Sequence, residues 1–370
     1  MAQKMTTYFR DFLKEIRLTD NQINELKSAH TTLRKRLKED EELSKYIETT
    51  FLQGSYRRST AVRPKNGKRS DVDIIVVTKI DREECTPEEV LDLFEPFLEK
   101  YYPDKYQKQG RSWGIEMSHV DLDVVPTSAP SIVEQGLLKN QVILSNEELE
   151  EMQDYALEML TKQQGRNEWY QNYMLFMASA EDATWKNEPL YIPDTEAMVW
   201  DKTHPLEQIR WTQEKNQNCN RHYVNVVKTI KWWRKEKYPD VKHPKSYPLE
   251  HFIGDCCPDG IQSVAEGITL TLENIVNNYL EKPFLSDRGV PEHDVFGRLT
   301  EEDYDAFYEA VCEAADIARQ AYDADSVETS ANLWRQLLGN KFPEPPKTES
   351  ASTFTKRTND SRDIYGGRFA

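Results

Sequence analysis

The chain has 370 residues, with 48 Lys and Arg against 64 Asp and Glu and a formal net charge of −16. Such acidity argues against coating a long nucleic acid, which takes many Lys and Arg contacts to phosphate, but it leaves room for a local basic site. Its 18 Tyr, 13 Phe and 8 Trp can build a core despite a mean hydropathy of −0.78, and no apolar run approaches the roughly 18 residues of a membrane span.

The length allows one large or two ordinary domains. The N-terminal stretch has charges inside its apolar pattern, unlike a secretory signal. The five cysteines, Cys85, Cys219, Cys256, Cys257 and Cys312, include no C-x-x-C pair. A reduced, cytoplasmic protein without structural metal is expected.

In chain order, residues 6–48 read as helical. Tyr8, Phe9, Phe12, Leu13 and Ile16 recur at helical spacing, then Ile23, Leu26, Leu33 and Leu37, with Asp20 placed to cap a second segment. Residues 50–70 hold Gly, Ser, Pro and Asn without long periodicity and read as a loop or short turn-bearing elements. DVDIIVVT, residues 71–78, has the β-branched content of a strand. Residues 87–100 read as an amphipathic helix, and GIEMS and HVDLDVV, between 114 and 125, as short strands. The stretch 127–200 is mixed, with a helix near 146–161. From Leu206 helices dominate, at 206–238, 247–256, 261–280, 302–322 and 327–338. Residues 343–370 lack apolar periodicity and read as a disordered tail. The predicted class is α+β: a first half over 1–200, an all-helical half over 201–342, and the tail.

The chemistry concentrates in FLQGSYRRSTAVRPKNGKRSDVDIIVV, residues 51–77. Gly54-Ser55 is a small-residue turn whose N–H groups and hydroxyl can approach a phosphate. A basic loop follows, from Arg57 to Arg69. Asp71 and Asp73 then lie two apart on a strand, so both side chains point to one face. Paired carboxylates repel unless a cation joins them, and hard oxygen ligands suit Mg²⁺ shared with substrate phosphates. A second pair, Asp121 and Asp123, shares a face of a later strand. A third carboxylate beside the first two would make a two-metal site for in-line nucleotidyl displacement. Residues 225–245 carry seven Lys and Arg against two acids, a basic stretch inside an acidic chain. Lys228 and Lys231 lie at i and i+3 there. By itself this stretch also fits a solvated helix face, and Trp232 and Trp233 read as core.

The Gly-Ser turn, DVDIIVV and the later acid in VDLDVVP together resemble the DNA-polymerase-β-like nucleotidyltransferase superfamily. TFLQGSYRRSTAVRP, KRSDVDIIVVT, FLEKYYP, THPLEQIRWTQEKN, IKWWR, YPLEHFIG and SDRGVPEHDV narrow the resemblance. Over about residues 8–342 the chain is similar to the bacterial cGAS/DncV-like nucleotidyltransferases, and within them to the clade called CdnD. The resemblance implies a two-lobed enzyme, a polymerase-β-like lobe with a mixed sheet plus a helical lobe, with the active site in the cleft between them. Such enzymes link ribonucleoside triphosphates, here ATP and GTP, into cyclic second messengers of anti-phage defence. The clade points to an adenine-rich cyclic trinucleotide.

The same resemblance implies the site. Asp71, Asp73 and Asp123 are the catalytic carboxylates for two Mg²⁺ ions, with Mn²⁺ able to substitute, and Asp121 is a neighbour. Gln53, Gly54, Ser55, Arg57, Lys228, Lys231, Ser246 and Tyr247 are the nucleotide-binding set. Lys231, with Ser246, matches the family's triphosphate clamp better than Lys228, and Tyr247 is placed to stack on a base. Arg57 and Arg58 contact phosphate or form structural ion pairs. Asp123 is expected to take the proton of the acceptor ribose hydroxyl. The zinc-binding His and Cys insertion of DNA-sensing animal relatives has no counterpart, so activation by DNA is not implied. Regulatory proteins, or ubiquitin-ligase-like ones acting on the tail that ends YGGRFA, are the implied partners, without membrane or long nucleic acid. The competing readings are a non-cyclising nucleotidyltransferase and a catalytically dead scaffold.

Overall fold

A computed structural model describes residues 3–65, 67–128 and 189–345. The apolar stripe near the N-terminus forms α1 (Thr6–Ile16), which buries Phe9, Phe12, Leu13 and Ile16. The next helix, α2 (Asp20–Glu39), is capped by Thr19 rather than Asp20. The Gln22 amide donates to Thr19 Oγ1 and the Thr19 amide donates back to Gln22 Oε1, a reciprocal capping box.

Helix does not continue to residue 48. After a 3₁₀ turn the β-branched and aromatic run IETTFLQ forms β1 (Ile47–Gln53), a strand not expected there, and the one-turn α3 (Gly54–Arg57) is one of the short elements expected within 50–70. The strand expected at 71–78 is β2 (Ser70–Thr78). The helix expected at 87–100 is two, α4 (Pro87–Asp92) and α5 (Glu95–Tyr101). Pro96 lacks an N–H and fits only the first turn of α5, which breaks the run. β3 (Tyr106–Lys108), β4 (Trp113–Glu116) and β5 (Val120–Thr127) complete a five-stranded sheet of order β1-β2-β5-β4-β3. Only β2 and β5 run parallel among its ladders.

A hairpin of β6 (Leu190–Asp194) and β7 (Val199–Thr203), which periodicity does not reveal, follows. The helix expected near 146–161 and the tail beyond 345 lie outside the described residues. The long helix expected at 206–238 is two, α6 (Pro205–Asn218) and α7 (Tyr223–Lys237). They are separated where Asn220 and Arg221 take positive φ, a conformation that ends a right-handed helix. Then come α8 (Ser246–Cys256), α9 (Val264–Asn278), α10 (Glu301–Asp323) and α11 (Val327–Leu338).

Two large cores result, beside a small cluster of Ile75, Val77 and Leu190 on the opposite sheet face. In the first, Val72, Ile74, Val76, Leu122 and Val124 on one sheet face meet Leu26, Leu33 and Leu37 of α2 and Leu91, Phe94 and Leu98. In the second, Val226, Ile230 and Trp232 of α7 pack with Phe252, Leu272, Phe307 and Trp334. Although it comes first in sequence, α1 joins this helical core: the Phe9 ring stands edge-on to Trp334 at 5.0 Å and to Phe342 at 5.1 Å. Burying each such aromatic side chain is worth about 1.5–3 kcal/mol over leaving it in water. Among the described residues no helix is long and apolar enough to cross a membrane.

Candidate active site

The parallel pairing of β2 and β5 sets Asp71 opposite Asp121 and Asp73 opposite Asp123. Strand alternation sends Val72, Ile74, Leu122 and Val124 into the core and all four carboxylates to the other face. On the other side of β2, Gln53 pairs with Asp73, and the chain turns at Gly54 with φ +78°. A Cβ on Gly54 would stand 1.7 Å from Asp73 Oδ2. The backbone of the Gly-Ser turn therefore lies directly against the Asp73 carboxylate.

These carboxylates are electrostatically crowded. Burial, then the charges of Asp71 and Asp123, push Asp73 up to about 7, with Arg58 pulling the other way. Burial and the charge of Asp71 raise Asp123 to about 6, although Gln109 Nε2 donates to its Oδ1 at 3.2 Å. Asp121 is different. Arg69 Nε donates to its Oδ1 at 2.5 Å while Nη2 of the same guanidinium holds Glu116 at 2.6 Å, which makes Asp121 a neutralised neighbour. Among the described residues no group of three His, Cys, Asp or Glu side chains is placed to hold a metal ion between them.

A cavity of 1530 Å³ opens between the sheet lobe and the helices. Ordinary single-ligand pockets hold about 300–1,000 Å³, so this one has room for more than one nucleotide. Gln53, Gly54, Ser55, Asp71 and Asp73 line it from the sheet side, and Lys231, Ser246 and Tyr247 from the helical side. Asp123 stands one strand over from Asp73. Asp123, Arg57 and Lys228 are not among the lining residues. Burial and the nearby charges of Arg17 and Lys231 depress Lys228 to about 7. Lys235, one turn beyond Lys231, does line the cavity and is lowered to about 8 by burial and the charge of Lys231. Sequence reasoning passed over it; its i+4 spacing from Lys231 is the signal that could have found it.

The two walls differ in charge. Lys68, Lys231 and Lys235 face the cavity on one side. On the other, Arg111 Nη2 pairs with Asp201 at 2.7 Å and Lys202 with Glu292 at 2.9 Å, while Lys231 on the first side lies 3.5 Å from the buried Glu250. Tyr247 OH donates to Asp287 Oδ2 at 2.7 Å, which fixes the ring at the cavity edge. Arg58 proves to be an internal ion-pair residue: its Nε donates to Glu250 at 2.7 Å and its guanidinium lies 5.2 Å from the Tyr247 ring centroid. Trp232 and Trp233 are buried, and Trp232 Nε1 donates to the Leu338 carbonyl at 3.0 Å.

Residues 3–134 match the family described as the Second Messenger Oligonucleotide or Dinucleotide Synthetase domain. A cyclic AMP-AMP-GMP synthase of Enterobacter hormaechei is 46% identical, the alignment covering 98% of each chain. A cyclic AMP-AMP-AMP synthase of an Acinetobacter strain is 31% identical over 98% of this chain and 93% of its own. The Vibrio cholerae dinucleotide cyclase DncV, solved with ATP and GTP, shares the fold with a TM-score of 0.65 at 14% identity, covering 93% of this chain and 98% of that one. Near-full-length similarity at this level, on a sheet that aligns the aspartates beside a Gly-Ser turn, has one consequence: the chain belongs to the bacterial cGAS/DncV-like nucleotidyltransferases, a family of cyclic oligonucleotide synthases.

Proposed function

We propose that the chain joins ATP and GTP into a cyclic trinucleotide of the AMP-AMP-GMP type by successive nucleotidyl transfers, releasing pyrophosphate at each. The carrying observation is the register that sets Asp123 beside Asp73, with Asp73 against the Gly54 turn and lining a cavity that Lys68, Lys231 and Lys235 also line. Two relatives named for cyclic AMP-AMP-GMP, at 46% and 43% identity, support that product over the all-adenine ring named for the 31% relative.

Asp71, Asp73 and Asp123 would hold the Mg²⁺ ions. Bound there, a divalent cation offsets the crowded negative charge and lowers the pKa of an acceptor ribose hydroxyl. The Ser55 and Ser246 hydroxyls donate to oxygens of the donor triphosphate. Lys231 and Lys235 neutralise its charge from α7. Tyr247 stacks on a base. Asp123 accepts the hydroxyl proton at its carboxylate.

Incubation with the four ribonucleotides and Mg²⁺, then phosphatase and mass spectrometry, tests this reading. A phosphatase-resistant ring containing A and G is expected, lost at least about 1,000-fold in the Asp71→Ala/Asp73→Ala variant. Linear chains or labelled acceptors would instead indicate a non-cyclising enzyme.

A pH dependence follows. Protons compete with the cation for Asp73, up to about pH 7, and for Asp123, up to about 6. Calorimetric titration with Mn²⁺ should show affinity weakening by about tenfold per pH unit from 7 to 6, more steeply below 6 where both carboxylates bind protons, and levelling above 7. A flat profile between about pH 5.5 and 8 would count against these carboxylates as the ligands.

A further inference from the structure

Glu250 is a buried acid on α8, between Leu249 and His251, and it is 3% exposed. Its two oxygens are fully used. Oε1 accepts from Arg58 Nε at 2.7 Å, and Oε2 accepts from Thr60 Oγ1 at 2.6 Å and lies 3.5 Å from Lys231 Nζ. All three partners are buried as well: Arg58 at 7%, Thr60 at 0% and Lys231 at 4%. Two of them come from the sheet lobe and one from α7.

Arg58 and Thr60 are the two ends of a grip on the Gly-Ser turn. The Arg58 amide donates to the Gly54 carbonyl at 3.1 Å, and the Thr60 amide to the Ser55 carbonyl at 2.9 Å. On α8, Glu250 is four residues after Ser246 and three after Tyr247, so all three share one helix face. One carboxylate thus ties together the turn over Asp73, the phosphate lysine and the helix that carries Ser246 and Tyr247.

Energetics sharpen the point. Burial alone would raise Glu250, yet Arg58 and Lys231 hold it below the usual carboxylate range. A buried ion cluster is often no more stabilising than well-packed apolar side chains of equal volume, while removing one member leaves an uncompensated charge. Stability by itself is therefore a weak reason for its presence.

We infer that Glu250 is the positioning residue of this enzyme, locking the Gly54–Ser55 turn of the sheet lobe to Lys231, Ser246 and Tyr247 of the helical lobe so that donor phosphate meets the carboxylates in register. The inference rests on the nucleotidyl-transfer reading, so wild-type turnover of ATP and GTP with Mg²⁺ is measured in parallel. An inactive wild type would sink that reading, whereas the variants below address Glu250.

Three variants separate positioning from plain stability, each with kcat and KM for ATP normalised to folded protein and with Tm by calorimetry. Thr60→Val cuts only the tie to the turn, and kcat should fall roughly three- to tenfold with KM within about twofold. Glu250→Gln keeps the volume but removes the charge that balances Lys231, and kcat should fall at least about tenfold with a raised KM. Arg58→Met/Glu250→Leu replaces the pair by apolar groups but leaves Lys231 buried without its counter-charge, so Tm should fall, and kcat per folded molecule should stay at least about tenfold down. Wild-type kcat in the folded double variant, or losses in Thr60→Val and Glu250→Gln that vanish once corrected for folded fraction, would overturn the inference. Should the other two fail to fold, Thr60→Val decides, and unchanged kcat there overturns it.

Discussion

Gly54→Ala is expected to lower product formation at least about 1,000-fold while the protein stays folded. Two effects act at this position. The φ of +78° costs a residue with a Cβ about 1–2 kcal/mol. The new methyl would also fall 1.7 Å from Asp73 Oδ2 and 2.8 Å from its Cγ. Asp73 sits on a central strand paired on both sides, so its backbone cannot retreat. The carboxylate must rotate out of line with Asp123, or the turn must lift away from it, and either move disperses the site. Gly67→Ala supplies the control: its φ is +74°, yet nothing lies within 4 Å of an added Cβ. It should lose similar stability and keep activity within about threefold. Turnover and Tm of both variants check the pair, and an active Gly54→Ala enzyme would refute the contact.

That contact also shows how much of the site was legible in the sequence. Strand alternation is a rigid period of two, so D-x-D running into IIVV announced two carboxylates on one face at a core strand's end. The neighbour of Asp73 depends on register between strands distant in sequence, which periodicity does not encode. The family resemblance supplied Asp123 as the third acid. Gly54 was read as freedom for backbone N–H groups to reach phosphate; its closeness to Asp73 emerges only from β1 pairing with β2. On α7, spacing alone put Lys228 and Lys231 on one face, but that face spans more than one environment. Lys231 and Lys235 line the cavity, whereas Lys228 lies near Arg17.

The fold shows the same division between local and non-local information. Helices with strong apolar stripes, such as α10 and α11, were placed to within a residue at each end. β1 was hidden because Ile47, Phe51 and Leu52 follow directly on a helical pattern. The break between α6 and α7 rests on two left-handed residues that are not glycine, Asn220 and Arg221, a weak signal in sequence. The packing of α1 in the helical core joins residues more than 200 positions apart, for instance Arg17 Nη2 donating to Asn225 Oδ1 at 2.8 Å. Glu250 was invisible for the same reason, since a lone acid does not say which lobe supplies its cations.

Asp73→Asn is expected to lose turnover at least about 1,000-fold and, in the absence of divalent cations, to be more stable than wild type at about pH 8. The cause is the environment that raises Asp73 to about 7: burial first, then the charges of Asp71 and Asp123. The sign follows from linkage. The carboxyl binds its proton more tightly in the folded protein than in the unfolded chain, so ionising it costs folding free energy. Wild-type stability therefore falls as pH rises from about 4 to about 7, and the penalty is complete above that. Every tenfold gain in proton affinity on folding corresponds to about 1.4 kcal/mol, and discounting for the partial exposure of Asp73 leaves a gain of about 1–3 kcal/mol for the neutral amide. That gain should shrink steadily as pH falls through 7 and vanish near about pH 4, where Asp73 carries its proton in both states. Saturating Mg²⁺ should reverse the order, because a ligand that binds only the folded carboxylates stabilises wild type by mass action and has less to hold in Asp73→Asn. Thermal scans from about pH 4 to 8, with and without Mg²⁺, test every part of this, and an Asn variant no more stable than wild type at pH 8 would show that the carboxylates are not held in mutual repulsion.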